Sequence, residues 1–330
     1  MLSRNEWDPL KKVIVGVADD AVIPKLDISL RCINYADYKE ESEIPQGKYP
    51  QQVIDEANED LEIFCDFLRG ENVEVIRPDK KYIPNYYNYC PRDSVLIYDD
   101  LILASPQPLR SRHGEFMSMD YEFQILEKNN CRYVKKFAEK KDNLYNTSCL
   151  GNKDTLALTE IEPAFDAANI LRDNDNLYYL VSNGGNKQGA LYLQELVGNN
   201  KKVWTIENVY SFMHLDSTIA LLREGLMLLN PERIKNIEQL PPPLRNWDII
   251  WAPEPEEISF YPGYCNASKW LNVNLFSINP NLVALHKDQN NLRLELEKHK
   301  IECAMLPGRQ QRTLGGGFHC VTLDIFRQHN

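Results

Sequence analysis

No stretch of this 330-residue chain approaches the ~18 consecutive apolar residues a bilayer span needs, so a transmembrane helix is excluded. The opening Met1-Leu2-Ser3-Arg4-Asn5-Glu6-Trp7 holds no apolar core of signal-peptide length. Eight cysteines (Cys32, Cys65, Cys90, Cys131, Cys149, Cys265, Cys303 and Cys320) are scattered, with no CxxC pair among them. That removes the spacing of a zinc site and of a disulfide framework, and points to reduced thiols in a cytoplasmic protein. Positive charge is in deficit: 37 Lys and Arg against 48 Asp and Glu leave a net charge of −11. Nucleic acid and anionic membrane are therefore excluded as the main partner. The remaining composition, 43% hydrophobic and 26% charged, is that of an ordinary globular protein.

A strand–helix pattern recurs along the chain. Residues 11–17 read as a first strand, and an irregular stretch follows to Pro50. Residues 51–69 place Val53, Ile54, Ala57, Leu61, Ile63, Phe64, Phe67 and Leu68 at helical spacing, with Gly70 as the expected C-terminal stop. A strand is expected at 73–76. Hairpins are expected at 93–104, 168–181, 218–229 and 273–285, each broken by a polar or Gly/Pro turn. After the last three come a stretch able to be helical and a further strand, at 203–206, 247–251 and 301–305. The strand following Cys320 is placed to meet the first, at Val13, and complete a fifth unit. Such α/β units suggest radial repetition, a propeller, rather than an ordinary α+β domain with several hairpins. Each unit also carries a polar or reactive residue before or within its first strand: Asp93, Asp166, the His214/Asp216 pair, Ser268 and Cys320. In a ring these positions converge on the axis.

Cys320 follows Gly315-Gly316-Gly317, where a flexible turn meets a strand, a suitable mounting for a nucleophile. A buried core cysteine fits these residues equally well. Its neighbour His319 is the tempting base, but neighbours on a strand point to opposite faces. A thiolate needs a base or cation nearby, and His214 is the best placed of the six histidines. If Met213-His214-Leu215-Asp216 is extended, His214 and Asp216 face the same way. Asp166 can orient the imidazole. Asp93 and Asp216 are then left without structural duty, and two surplus carboxylates suit a planar guanidinium whose central carbon meets the sulfur.

The chain resembles the arginine amidinotransferases, including the inosamine-phosphate and glycine types. The likeness runs from Asn5-Glu6-Trp7-Asp8-Pro9-Leu10 through Pro91-Arg92-Asp93, Arg110-Ser111-Arg112, Phe165-Asp166-Ala167-Ala168, His214-Leu215-Asp216, Asn230-Pro231 and Ser268-Lys269-Trp270 to Gly315-Gly316-Gly317-Phe318-His319-Cys320. It implies a single catalytic domain over 1–330 with the family's five-bladed pseudosymmetric, pentein-like α/β propeller. It implies Cys320 as nucleophile, His214 as acid/base and Asp166 as its orienter, with Asp93 and Asp216 as guanidinium ligands. Arg233 resembles the arginine that binds the substrate carboxylate, and Ser268 a substrate-contacting serine. Beside the histidine, Met213 matches the glycine type, whereas Ser211 replaces an asparagine and Ala267 a second serine. Asn169 and the Asn5–Leu10 motif look like the inosamine-phosphate type. The implied chemistry is ping-pong transfer of arginine's amidino group to a small amine, through an amidino-cysteine, in antibiotic or toxin biosynthesis. No metal or organic cofactor is implied, and a homodimer is compatible with it. Glycine amidinotransferase, an arginine deiminase-like hydrolase releasing citrulline, and a non-catalytic arginine-binding protein are the alternatives. The departures from the glycine type point to an acceptor larger than glycine.

Overall fold

The computed structural model describes residues 2–135, 138–207, 209 and 213–329. Among them, five times over, a strand pairs antiparallel with a second and a third lies parallel to that second, and in four of the five a tight turn joins the antiparallel pair. The first such sheet is Val95–Tyr98, Leu101–Ala104 and Arg132–Val134. The second is Ile170–Asp173, Asn176–Leu180 and Lys202–Ile206. The third is Ile219–Arg223, Leu226–Leu229 and Asp248–Trp251. The fourth is Phe276–Asn279, Leu282–His286 and Glu302–Leu306. The fifth joins the two ends of the chain: Thr322–Arg327 pairs antiparallel with Leu10–Val15, Val13 facing Asp324, and Glu74–Ile76 runs parallel to Leu10–Val15.

A parallel third strand needs a crossover. Helices Gln51–Gly70, Asp120–Lys128, Lys187–Val197 and Asn290–Lys298 supply four of them. In the third unit the crossover carries only the short 3-10 turns Ile237–Gln239 and Pro242–Leu244, because Pro241-Pro242-Pro243 removes the donors an α-helix requires. The crossover helix and third strand of the first unit had no counterpart in the sequence reading. Gly70 is the last helical residue rather than the stop; the chain reverses two residues later at Asn72, whose φ is +59°. Ile63, counted with the apolar face, is 48% exposed. No described helix is long and apolar enough to cross a membrane.

The five sheets are separate, and none closes on itself. What joins the units is the short helical turn that enters each first strand. Pro91–Ser94 lies against Ala167–Asn169, which meets Leu215–Ser217, which in turn meets Lys269–Val273. Asn274, just beyond, accepts from the amides of His319 (3.3 Å) and, through Oδ1, of Cys320 (3.1 Å). Arg92 returns the order to its start, its Nε donating to the His319 carbonyl at 2.8 Å. The units thus adjoin cyclically, and every turn bearing a candidate residue faces its neighbour.

Behind these turns lies a buried charge cluster. Arg172, 1% exposed, donates to Glu6 and to both oxygens of Asp324 at 2.8 Å. Arg92 donates to Asp324 at 2.7 Å, and Arg327 donates to it at 2.5 Å. Burial alone would raise the Glu6 and Asp324 carboxyls. The surrounding guanidinium groups overcome it and hold both well below the usual carboxylate range.

Candidate active site

Cys320 occupies the turn between Gln311–Leu314 and the strand Thr322–Arg327. Gly315 ends the helix in the left-handed region, at φ +86°. A Cβ on Gly316 would lie 2.5 Å from the Cys90 sulfur and 2.9 Å from the Cys320 Cβ, so only glycine lets these two cysteines approach. Cys320 is 4% exposed, and its sulfur lies 3.3 Å from Asp216 Oδ2. Its thiol is pushed well above its ordinary value: the neighbouring Cys90 sulfur accepts from it, burial disfavours the thiolate, and the Asp216 charge adds to both.

His214 has extended backbone and caps the 3-10 turn Leu215–Ser217. Asp216 sits inside that turn, so the expected extended run is absent; both side chains nevertheless reach the site. His214 Nε2 lies 3.1 Å from Asp166 Oδ2, and Nδ1 lies 3.7 Å from Asp93 Oδ1. Burial opposes the charged imidazole, but Asp93, Asp166 and Cys320 raise its pKa well above the ordinary value. The surroundings therefore favour an imidazolium beside a thiol. Gln107, unnoticed in the sequence, donates to Asp166 Oδ1 at 3.4 Å and completes the support of the imidazole.

Asp93 and Asp216 do carry structural duty, contrary to expectation. Arg112 donates to Asp93 Oδ2 at 2.7 Å and is itself clamped by Glu115, whose carboxyl burial pushes up to about 7. His319 Nδ1 lies 2.8 Å from Asp216 Oδ2, and its Nε2 lies 3.3 Å from Glu6. His319 and Cys320 thus meet the same carboxylate, because residues 315–321 form a turn and the opposite-face rule for strands does not apply there. His319 is tied to Asp216 rather than poised as a base. In each carboxylate only Oδ1 has no hydrogen-bond partner. Arg112, Glu115, Gln107 and Glu6 lie far from the site in sequence, and only Arg112 and Glu6 fell within motifs that could have flagged them.

These groups open into a cleft of two lobes. The inner, about 90 Å³, is lined by Cys320, Asp216 and Asn274 among others. The outer, about 360 Å³, includes Asn34, Tyr35, Tyr86, Asp93, Asp166 and Arg112. Met213, His214, Arg233, Ala267 and Ser268 line both. Arg233 donates to the hydroxyls of Ser217 (2.7 Å), Thr218 (2.9 Å) and Ser268 (3.4 Å), which fixes its guanidinium at the cleft wall. Ser211 lies outside the described residues. Asp93, His214 and Cys320 also bring ligand atoms within 4.8 Å of one another, a set that could receive a metal ion although no CxxC pair is present.

No family model matches the chain. It is 37% identical to inosamine-phosphate amidinotransferase 1 of Streptomyces glaucescens, across 98% of this chain and 96% of that one. Identity to L-arginine:L-lysine amidinotransferase of Pseudomonas savastanoi pv. phaseolicola is 30%, across 99% and 94%. The fold superposes on SxtG, an amidinotransferase of the saxitoxin biosynthetic pathway from Microseira wollei, with a TM-score of 0.90. That match covers 100% of this chain and 98% of that one at 26% identity.

Because the Cys90 sulfur is the largest influence holding Cys320 protonated, Cys90→Ala should move thiolate formation to lower pH. Alkylation of Cys320 by iodoacetamide, followed on its peptide across pH, should show the midpoint displaced downward. A midpoint unchanged or displaced upward would contradict this electrostatic account.

Proposed function

The chain belongs to the amidinotransferase family, and from that premise we propose that it transfers the amidino group of L-arginine to an amine larger than glycine. The observation that carries this reading is a pair of carboxylate oxygens without a hydrogen bond, Asp93 Oδ1, which faces His214 Nδ1 at 3.7 Å, and Asp216 Oδ1, beside one buried thiol. A guanidinium offers several donors in a fixed fork and matches both.

Arginine enters with its guanidinium against these two oxygens and its carboxylate toward Arg233 and Ser268. The incoming cation offsets the Asp216 charge that helps hold Cys320 protonated, and the thiol proton passes to water in the cleft. The thiolate adds to the guanidino carbon. His214, already carrying a proton, gives it to the departing δ-nitrogen, and ornithine leaves. Asp166, supported by Gln107, keeps the ring aimed throughout. An amidino group remains on Cys320. The acceptor amine then enters the same cleft, loses a proton to His214 and takes the amidino group, which expels the Cys320 thiolate, and a proton from water restores the thiol. The reading treats residues 1–330 as one catalytic domain.

Ala267 contributes no hydroxyl to the cleft wall, and the outer lobe of about 360 Å³ exceeds what glycine fills. Both favour a larger acceptor. The relative named for saxitoxin biosynthesis supports a place in specialised-metabolite assembly.

Supplied with arginine and a panel of primary amines including glycine, the enzyme should release ornithine and the guanidino product of a larger amine. Citrulline as main product would replace transfer by hydrolysis, and glycine winning by kcat/KM would refute the acceptor assignment. Asp93→Asn and Asp216→Asn keep shape while removing charge. Arginine turnover should fall on the order of a hundredfold in each, as for lost charge-assisted contacts to a developing centre. Near-normal rates in both variants would place the guanidinium elsewhere.

A further inference from the structure

We propose that Cys320, His214 and Asp93 form a binding site for Zn2+ where the two lobes of the cleft meet, and that zinc held there shuts the enzyme off reversibly by taking the place of arginine. The inhibition rests on the transferase reading; the metal site rests on the residues alone.

The Cys320 sulfur, a His214 ring nitrogen and an Asp93 carboxylate oxygen lie within 4.8 Å of one another. Thiolate, imidazole and a single carboxylate make a donor set suited to zinc, whereas Mg2+ and Ca2+ take oxygen ligands. Zinc bonds of about 2.0–2.3 Å in a tetrahedron set neighbouring ligand atoms about 3.3–3.6 Å apart. Asp93 Oδ1 and His214 Nδ1 are already 3.7 Å apart, so small side-chain rotations close the site. Asp93 is 2% exposed, and this Oδ1 accepts no hydrogen bond. A buried carboxylate oxygen in that condition is costly until a cation or donor meets it.

Each ligand is held from behind. Asp166 Oδ2 lies 3.1 Å from His214 Nε2, the carboxylate–imidazole arrangement that fixes a zinc-binding ring and turns its other nitrogen to the metal. Arg112 donates to Asp93 Oδ2 at 2.7 Å and leaves Oδ1 for the ion. The Cys320 amide donates to Asn274 Oδ1 at 3.1 Å, which steadies the turn bearing the thiol. Asp216, 3.3 Å from the sulfur, adds a further negative charge near the dication. The cleft side of the trio leaves the fourth position to water. Binding releases the thiol proton and the imidazole proton to solvent.

Zinc would occupy Asp93 Oδ1 and the sulfur, the same two atoms that arginine needs, so the two ligands exclude each other. Once Cys320 carries the amidino group it offers no thiolate, and the modified enzyme loses the site.

The test titrates metal-free enzyme with Co2+, a spectroscopic stand-in for zinc, in the absence of arginine. One equivalent should bring the visible bands of four-coordinate cobalt together with a thiolate-to-metal charge-transfer band, and zinc should displace both. Cys320→Ser should lose the charge-transfer band. Asp93→Asn should weaken cobalt binding about tenfold or more, while Cys265→Ser, which removes the exposed thiol, should leave it intact. In turnover, free zinc at about ten times its Kd should raise the KM for arginine roughly tenfold with kcat unchanged, by simple competition, and a chelator should restore the rate. A charge-transfer band that survives in Cys320→Ser, or that vanishes in Cys265→Ser, would overturn the site. So would cobalt binding unaffected in Asp93→Asn. Inhibition that arginine cannot relieve would overturn the competition. Wild-type enzyme that shows the cobalt bands yet releases no ornithine from arginine would sink the transferase reading and leave the metal site standing, so the two failures are distinguishable.

Discussion

Charge buried without water is the constraint on which this molecule depends. Glu6 and Asp324 face Arg92, Arg172 and Arg327, all at most 5% exposed. Removing such groups from water costs several kcal/mol each, and the loss is offset only by close geometry and full hydrogen bonding. That geometry exists only when the Glu6 segment, the Arg92 turn, the Arg172 strand and the Asp324 strand are assembled together. The cluster therefore ties the two ends of the chain to the first and second units. Deleting one partner would strand the others, with a typical loss of about 3–5 kcal/mol.

The same cluster reaches the chemistry through one histidine. His319 stands between Glu6 and Asp216, its backbone carbonyl held by Arg92, and Asp216 in turn meets the Cys320 sulfur. A second chain of contacts runs from Glu115 and Arg112 to Asp93, and a third from Gln107 through Asp166 to His214. Each carboxylate near the sulfur is thus aimed by a partner deeper in the fold. The resulting site stores protons where the reaction first needs an acid: His214 is held charged and Cys320 neutral. In the proposed reaction a cationic substrate reverses the second of these by offsetting the Asp216 charge, so that binding and activation of the nucleophile become one event.

Much of this was legible in the sequence, for reasons tied to particular residues. Short apolar runs broken by Asp99, Asn174 and Gly225 announce hairpins, because each break is a residue at ease with positive φ. Repetition of those hairpins placed Asp93, Asp166, His214, Asp216, Ser268 and Cys320 at matching positions, and the structure brings them to adjoining turns. What stayed hidden depends on distance. Gln107, Arg112 and Glu115 act through contacts that no local spacing encodes. The facing of His319 toward Asp216 was missed because residues 315–321 form a turn to which the strand rule does not apply, and Asp93 and Asp216 looked idle because their partners, Arg112 and His319, could not be matched to them. The irregular stretch before Pro50 carried no periodicity, yet it supplies Asn34 and Tyr35 to the cleft.

The central claim is that Cys320, protonated at rest, takes the amidino group from arginine before any acceptor arrives. Incubating the enzyme with arginine alone, quenching in acid and weighing its peptides tests this most directly. The account predicts ornithine in solution and one added amidino group on the peptide carrying Cys320, absent from Cys320→Ala. An adduct on another cysteine, or full activity in Cys320→Ala, would contradict it.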